Sequence, residues 1–338
     1  MKVLILGGTG VISRAIVPLL LERGHDVTVF NRGQRAQAPA GVRVMLGDRA
    51  DREGFRATMQ AEKFDVVIDM IAFTEDDARS TVKTFRGRVE QIIVCSSSSA
   101  YQRPYRTIPV QEDAEALCED PVFPYSFNKA QIERYLQALI RDEGLPITII
   151  RPSLTFGPGA AGFGVLRQNY GVIDRIRRGK PLVMFGDGKN PWSFTFAPDL
   201  AVAFAGAVGN RRTYGQHYHA TNEARTAWQD LYLEAGRVLG VEPRLFFLPA
   251  DLLYRAAPTL CAHLHFEKSY PGLFDNSKIR RDIPEFAPRI DLHAGLTTLF
   301  AWFEAESRAI DPEKEALEDR LHGIHRGLGE QVANLYTR

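Results

Sequence analysis

The sequence predicts an α/β fold: a doubly wound parallel sheet followed by a smaller α/β C-terminal region. Three observations carry this reading. Short apolar runs alternate with helix-like stretches as far as residue 150, the first run leads without a spacer into a glycine turn, and beyond Arg151 the alternation loosens into Gly/Pro-rich segments with scattered helices. Strands that alternate with helices build parallel sheets, because a parallel neighbour can only be reached by a crossover, usually helical.

Lys2-Val3-Leu4-Ile5-Leu6 suits a strand buried on both faces, and Gly7-Gly8-Thr9-Gly10-Val11-Ile12-Ser13 follows it directly. Ala15, Ile16, Leu19, Leu20 and Leu21 then give a helical apolar face that Arg23-Gly24 ends. Asp26-Val27-Thr28-Val29-Phe30 completes a β-α-β unit. In that context the glycine turn points backbone N–H groups and a helix N-terminus at a pyrophosphate, so Gly7, Thr9, Gly10, Val11 and Ile12 are candidate dinucleotide contacts. Ser13 stands at the third small position and is small enough for close helix–strand packing. Further strands are expected at 42–46, 65–69, 90–95 and 146–150, with helices at 51–60, 75–86 and 125–141 between them. After residue 151, helices are expected near 164–178, 198–208, 226–239 and 291–307, and the charged stretch 311–320 reads as a solvated helical face. The expected organisation is a dinucleotide-binding domain over 1–152, with some later segments returning to it, a substrate-binding region over 153–310 and a helical tail over 311–338.

Composition narrows the function classes. With 42 basic and 41 acidic residues the chain has no global attraction to nucleic acid, so DNA is excluded and RNA is disfavoured. No run approaches a membrane span, and the N-terminal apolar run is the first strand of the fold. Cys95, Cys118 and Cys261 are odd in number and lack metal-ligand spacing, which fits packed thiols in a reducing cytoplasm and gives no metal site.

The chemistry is carried by Tyr125 and Lys129. Four residues apart on a helix, they share one face, one turn apart. A phenol is a weak acid near neutrality, and a fixed cation beside it favours the phenolate, which proton transfer to or from a hydroxyl requires. The bland alternative is a half-buried helix tyrosine beside a surface lysine.

These features, in this order, resemble the extended short-chain dehydrogenase/reductases, the NAD-dependent epimerase/dehydratase group. The resemblance rests on Gly7-Gly8-Thr9-Gly10, the Ser96-Ser97-Ser98-Ser99-Ala100-Tyr101 strand end, Tyr125-x-x-x-Lys129, Arg151-Pro152 with Gly157-Pro158-Gly159, Gly186-Asp187-Gly188 and Asp199-Leu200-Ala201. Asn31-Arg32-Gly33, Trp192-Ser193-Phe194-Thr195 and Phe274-Asp275-Asn276-Ser277-Lys278 are most similar to the chloroplast stem-loop-binding-protein-like branch. The resemblance implies a Rossmann-type sheet and hydride transfer to or from a nicotinamide. It implies that Tyr125 is the proton donor or acceptor, that Lys129 lowers the tyrosine pKa and holds the nicotinamide ribose, and that Ser97 bonds the reacting oxygen. Ser96 or Ser98 could take that last role, and the serine run could instead be a polar strand end. Asp48 matches the position that caps the adenine amino group.

Asn31 and Arg32, with Arg35 close by, replace the acid that usually holds the ribose 2′-OH, and an arginine there suits a 2′-phosphate. The cofactor is therefore NADP or NAD, with a lean toward NADP. The Asp-Glu pair of nucleotide-sugar 4,6-dehydratases reads Ser98-Ser99 here, which argues against dehydration. Leu154 and Trp192 replace two diphosphate contacts of sugar-nucleotide epimerases, so either other residues such as Arg167, Arg175 or Arg280 hold the diphosphate or the substrate has none. The substrate candidates are Ser98, Trp192 and Arg280, Trp192 either as a sugar-stacking face or as a core residue. The implied function is an epimerase or oxidoreductase acting on a sugar or sugar nucleotide, a cytoplasmic homodimer. The alternatives are a reductase of a non-nucleotide carbonyl compound and a non-catalytic RNA-binding protein.

Overall fold

Residues Lys2–Leu6 form β1, and its four apolar side chains divide between two core clusters, Val3 and Ile5 in one, Leu4 and Leu6 in the other. Side chains alternate across a strand, so such a split requires cover on both faces of the sheet. The computed structural model, which describes residues 1–34, 41–160 and 162–335, supplies that cover. Helix α1 (Val11–Glu22) packs on the first face through Ile16, Val17 and Leu20, together with the helix Ala197–Ala207. Helices α2 (Arg52–Gln60), α3 (Glu75–Phe85) and α4 (Pro124–Glu143) pack on the second, through Phe55, Met59, Val82, Phe85, Ile132 and Leu136.

The other strands of the sheet are β2 (Asp26–Asn31), β3 (Arg43–Leu46), β4 (Val66–Asp69), β5 (Gln91–Cys95) and β6 (Ile147–Pro152). A seventh, His217–Ala220, arrives from later in the chain and pairs with β6, placing His219 opposite Arg151. The order is His217–Ala220, β6, β5, β4, β1, β2, β3, with every pair parallel. The order reverses between β1 and β4, and ligands of such sheets bind beyond the strand ends at that reversal.

The chain divides into two compact units, the first made of Met1–Thr155, Ser193–Glu223 and Leu273–Arg289, the second of Phe156–Trp192, Ala224–Gly272 and Ile290–Arg338. In the second unit, Leu182–Phe185 pairs parallel with Leu245–Leu248. The helix expected at 164–178 begins only at Tyr170, because Arg167 and Asn169 take left-handed backbone (φ 52° and 54°) and break any earlier helical path. The helix expected at 226–239 begins at Asp230, since Thr226 and Ala227 pair with Trp192 and Pro191. The charged stretch 311–320 is helical, within Pro312–Ala333, but it is not a uniformly solvated face. Glu318 is fully buried, with Arg175 3.1 Å away, and Leu321, three residues on, is buried too. Among the described residues no helix is long and apolar enough to cross a membrane.

Candidate active site

The site begins where β1 ends. Gly7 has φ +88°, and a Cβ there would lie 2.3 Å from Ile71 Cγ2, so only glycine makes this turn without displacing its neighbour. Gly10, the N-terminal cap of α1, has ordinary extended backbone, and a Cβ on it would meet nothing within 4 Å. Helix α1 has no side-chain cap and no acid in its first turn, so the positive end of its dipole is left for an anion from outside. Ser13 does more than preserve close packing: its buried hydroxyl donates to the Gly7 carbonyl at 2.9 Å and ties the helix to the turn.

This turn lines a cavity of about 570 Å³ in the first unit. Gly7, Thr9, Gly10, Val11, Ile12, Asn31, Arg32, Asp48, Ser97, Tyr125 and Lys129 all line it. Asn31 Oδ1 accepts the Gly33 N–H at 2.7 Å, which tightens the turn that carries the exposed Arg32. Asp48 Oδ1 accepts the Ala50 N–H at 2.9 Å, which fixes its carboxylate in the wall. Arg35 lies outside the described residues.

The reactive side chains sit beyond β5 and on α4. Tyr125 is 43% exposed, its ring tilted against Phe123. Lys129 is buried, and its Nζ donates to the carbonyls of Ala72 (2.8 Å) and Cys95 (2.9 Å). Burial lowers the Lys129 pKa, against the pull of Cys95, Asp69 and Glu133. Three N–H donors meet two carbonyls, leaving one donor without a hydrogen-bond partner among the described residues. Ser97 caps the short turn Ser98–Ala100, its Oγ accepting the Ser99 N–H at 3.1 Å.

An uncapped helix end beside an open glycine, the Asp48 carboxylate and the buried Lys129 thus line one cavity. The model of the NAD dependent epimerase/dehydratase family matches residues 3–220. The chain belongs to this family. It is 27% identical over 315 residues to 2′-dehydrokanamycin reductase of Streptomyces kanamyceticus, covering 93% of this chain and 87% of that one. The likeness to chloroplast stem-loop-binding sequences is matched by the chloroplast stem-loop binding protein of 41 kDa b of Arabidopsis thaliana. The two are 26% identical over 250 residues, 68% of this chain and 61% of that protein. Among solved structures it superposes on the UDP-glucuronic acid 4-epimerase of Bacillus cereus in complex with NAD with a TM-score of 0.71 at 18% identity, covering 91% of this chain and all of that one. The epimerase Mth375 of Methanothermobacter thermautotrophicus gives a TM-score of 0.75 at 17% identity, with 90% and 92% covered. At these identities the likeness to solved structures establishes the fold.

In this family member the three substrate candidates do not gather at the cavity. Ser98 is buried in its turn and is absent from the lining; its carbonyl accepts from Arg103. Trp192 is a core residue of the second unit: its ring is fully buried, packed near Gly272 and Trp228 with the Lys268 ammonium 4.1 Å from the ring centre. That packing leaves no face on which a sugar could stack. Arg280 is partly exposed and pairs with Glu223.

Other residues join the site without having been singled out from sequence. Arg49 lines the cavity, and its guanidinium donates to Asp69 (2.8 and 3.0 Å), Thr81 (3.0 Å) and the Asp77 carbonyl (2.7 Å), anchoring the segment that carries Asp48. A buried Asp69 ending β4 demands a cation, and the arginine after Asp48 was the available signal. Ser96 also lines the cavity, but its hydroxyl is taken by Glu133.

Proposed function

We propose that this chain is an NAD(P)-dependent epimerase or oxidoreductase that acts on a hydroxyl or carbonyl carbon of a sugar or sugar nucleotide. The observation that supports it is the presence of Ser97, Tyr125 and Lys129 in the same cavity as the glycine turn. Gly7, Thr9, Gly10, Val11 and Ile12 would hold the pyrophosphate, Asp48 the adenine and Lys129 the ribose of the nicotinamide. When bound, the dinucleotide accepts or returns a hydride.

The chain's own residues handle the proton. Ser97 donates a hydrogen bond to the substrate oxygen, and Tyr125 as phenolate takes the hydroxyl proton as the C–H hydride departs, leaving a carbonyl. In reverse, Tyr125 returns that proton to the oxygen as hydride is delivered to carbon. Lys129, one helical turn from Tyr125 and with its ammonium held by the Ala72 and Cys95 carbonyls, would favour the phenolate by its charge. Arg32 beside Asn31, with no acid at that turn, favours a 2′-phosphate and hence NADP.

A second reading, a reductase of a non-nucleotide carbonyl compound, is favoured by Leu154 and by the burial of Trp192, which remove two expected diphosphate contacts. One paired experiment tests both. Tyr125→Phe should fold and bind dinucleotide but lose turnover by about a hundredfold or more, and the dinucleotide released on denaturing the parent protein identifies the cofactor. Retained oxidised dinucleotide supports internal recycling by an epimerase, whereas a cofactor that is exchanged and consumed supports a reductase. Undiminished turnover in Tyr125→Phe would sink both.

A further inference from the structure

We propose that Glu133 and Arg151 are positioning residues of this site, an ion pair that, with Ser96, locks α4 to the ends of β5 and β6 and so fixes Tyr125 relative to Ser97. The inference rests on the reading of Tyr125, Lys129 and Ser97 given above.

Residues 125, 129 and 133 lie four apart and so share one face of α4. Below the phenol and the ammonium, that face ends in a carboxylate with no exposure at all. Arg151 Nε lies 2.9 Å from each Glu133 oxygen, Nη2 also bonds Oε2, and Ser96 Oγ donates to Oε1 at 2.5 Å. Burial alone would raise the Glu133 carboxyl, and the Arg151 guanidinium together with the Ser96 hydrogen bond outweighs it, leaving the carboxyl below its ordinary value and the pair charged. Three elements therefore meet at one carboxylate. Lys129 reaches the Cys95 carbonyl and Glu133 reaches the Ser96 hydroxyl, so α4 grips two consecutive residues immediately before Ser97.

The far end of the Ser97 turn is held by the same arginine. Arg151 Nη1 donates to the Tyr101 hydroxyl at 2.6 Å, and that hydroxyl lies 2.6 Å from His219 Nε2. His219 Nδ1 faces the Asp275 carbonyl at 3.2 Å; a carbonyl only accepts, so Nδ1 carries the proton and Tyr101 donates to Nε2. Both ends of the segment from Ser96 to Tyr101 are thus tied to Arg151, one through Glu133 and one directly. A buried ion pair is weak as a stabilising device, since well-packed apolar replacements are often neutral. Its directed hydrogen bonds are what such replacements cannot reproduce.

The test reads Tyr125 directly and needs no substrate. Its titration is isolated by subtracting the ultraviolet pH titration of Tyr125→Phe from that of each protein. Replacing both charges, Glu133→Leu with Arg151→Met, avoids stranding either one. The double variant should keep its melting temperature and circular dichroism, while Tyr125 ionises about one pH unit higher than in the parent, a tenfold loss of preference for the phenolate. A folded double variant with the parental Tyr125 titration overturns the proposal. If the double variant fails to fold, Ser96→Ala decides, because it removes one bond and leaves the ion pair. A rise of about half a unit supports the proposal and no rise overturns it. If Tyr125 in the parent titrates like a free tyrosine and Tyr125→Phe keeps its activity, the functional reading itself fails and this inference with it. A perturbed Tyr125 that the variants leave unmoved defeats this inference alone.

Discussion

At the scale of single residues, the glycine turn separates folding from binding. Gly7 carries the turn's left-handed backbone, and a Cβ on it would overlap Ile71, whereas Gly10 is conformationally ordinary and opens onto the cavity. Gly7→Ala should therefore cost about 1–3 kcal/mol of stability, from backbone strain and overpacking together. Gly10→Ala should change stability by less than about 0.5 kcal/mol, yet, on the proposed function, weaken dinucleotide binding at least tenfold, because the added methyl would project into the cavity where the pyrophosphate is proposed to lie. Denaturant titration and fluorescence titration with NADH and NADPH measure the two effects. Parental affinity in Gly10→Ala would show that the turn does not face the cofactor. The cavity lining proposed for the cofactor was legible in sequence because its residues sit at fixed short spacings: Gly7 to Gly10, Tyr125 to Lys129. The substrate half was not. Whether Trp192 offers a stacking face is decided by Gly272, Lys268 and Trp228, none of them near it in the chain.

At the scale of elements, legibility follows the source of each element's stability. Strands β1 to β6 lie within two residues of the expected runs. In β1, β2, β4, β5 and β6 burial on both faces demands a continuous apolar signal, whereas β3, at the sheet edge, keeps its apolar run although Val44 and Leu46 are exposed. The strand His217–Ala220 went unread: two of its four residues are histidines, and it becomes a strand only by adding to the edge at β6. The charged surface of Pro312–Ala333 similarly hid a buried contact. Arg175, with no side-chain exposure, meets Glu318 at 3.1 Å and Asp319 at 2.9 Å, while two residues on, Arg177 is nearly half exposed and pairs with Glu304 at 2.5 Å. Arg175→Met should cost about 3–5 kcal/mol by leaving Glu318 buried without a cation among the described residues, held only by the Gln168 amide and the Val183 N–H. Arg177→Met should cost about 1 kcal/mol or less. Adding Glu318→Leu to Arg175→Met should restore most of the loss. Equal losses from the two single substitutions, measured by denaturant unfolding, would mean that the buried pair does not hold this helix.

At the scale of the whole molecule, each unit holds a histidine whose pKa lies well below its ordinary value, the half-buried His217 in the first and the buried His263 in the second. Burial, with Arg151 next in effect, pushes His217 of the first unit down to about 4; burial, with Arg167 next, pushes His263 of the second down to about 3. Their ordinary value in an unfolded chain is about 6.5. Above that pH neither state binds the proton and neither histidine affects stability. Below it the unfolded chain takes up a proton that the folded one refuses, so stability falls with pH until the folded-state values are reached. At pH 5 the loss is about 2 kcal/mol for each histidine, the 1.5 units below 6.5 converted at about 1.4 kcal/mol per unit. Many carboxylates titrate over the same range, but their contribution is common to the parent and a histidine variant and cancels in the difference. Glutamine keeps a polar side chain while removing the titration. His217→Gln and His263→Gln should therefore each lose about 2 kcal/mol less than the parent between pH 7 and pH 5, in denaturant unfolding at the two values. The two effects should add, because the residues sit in separate units and share no partner among the described residues. An acid loss in either variant equal to the parent's would show that its histidine is already protonated in the folded chain, and for His217 the Asp113 carboxylate at 2.7 Å would be the group that holds it so.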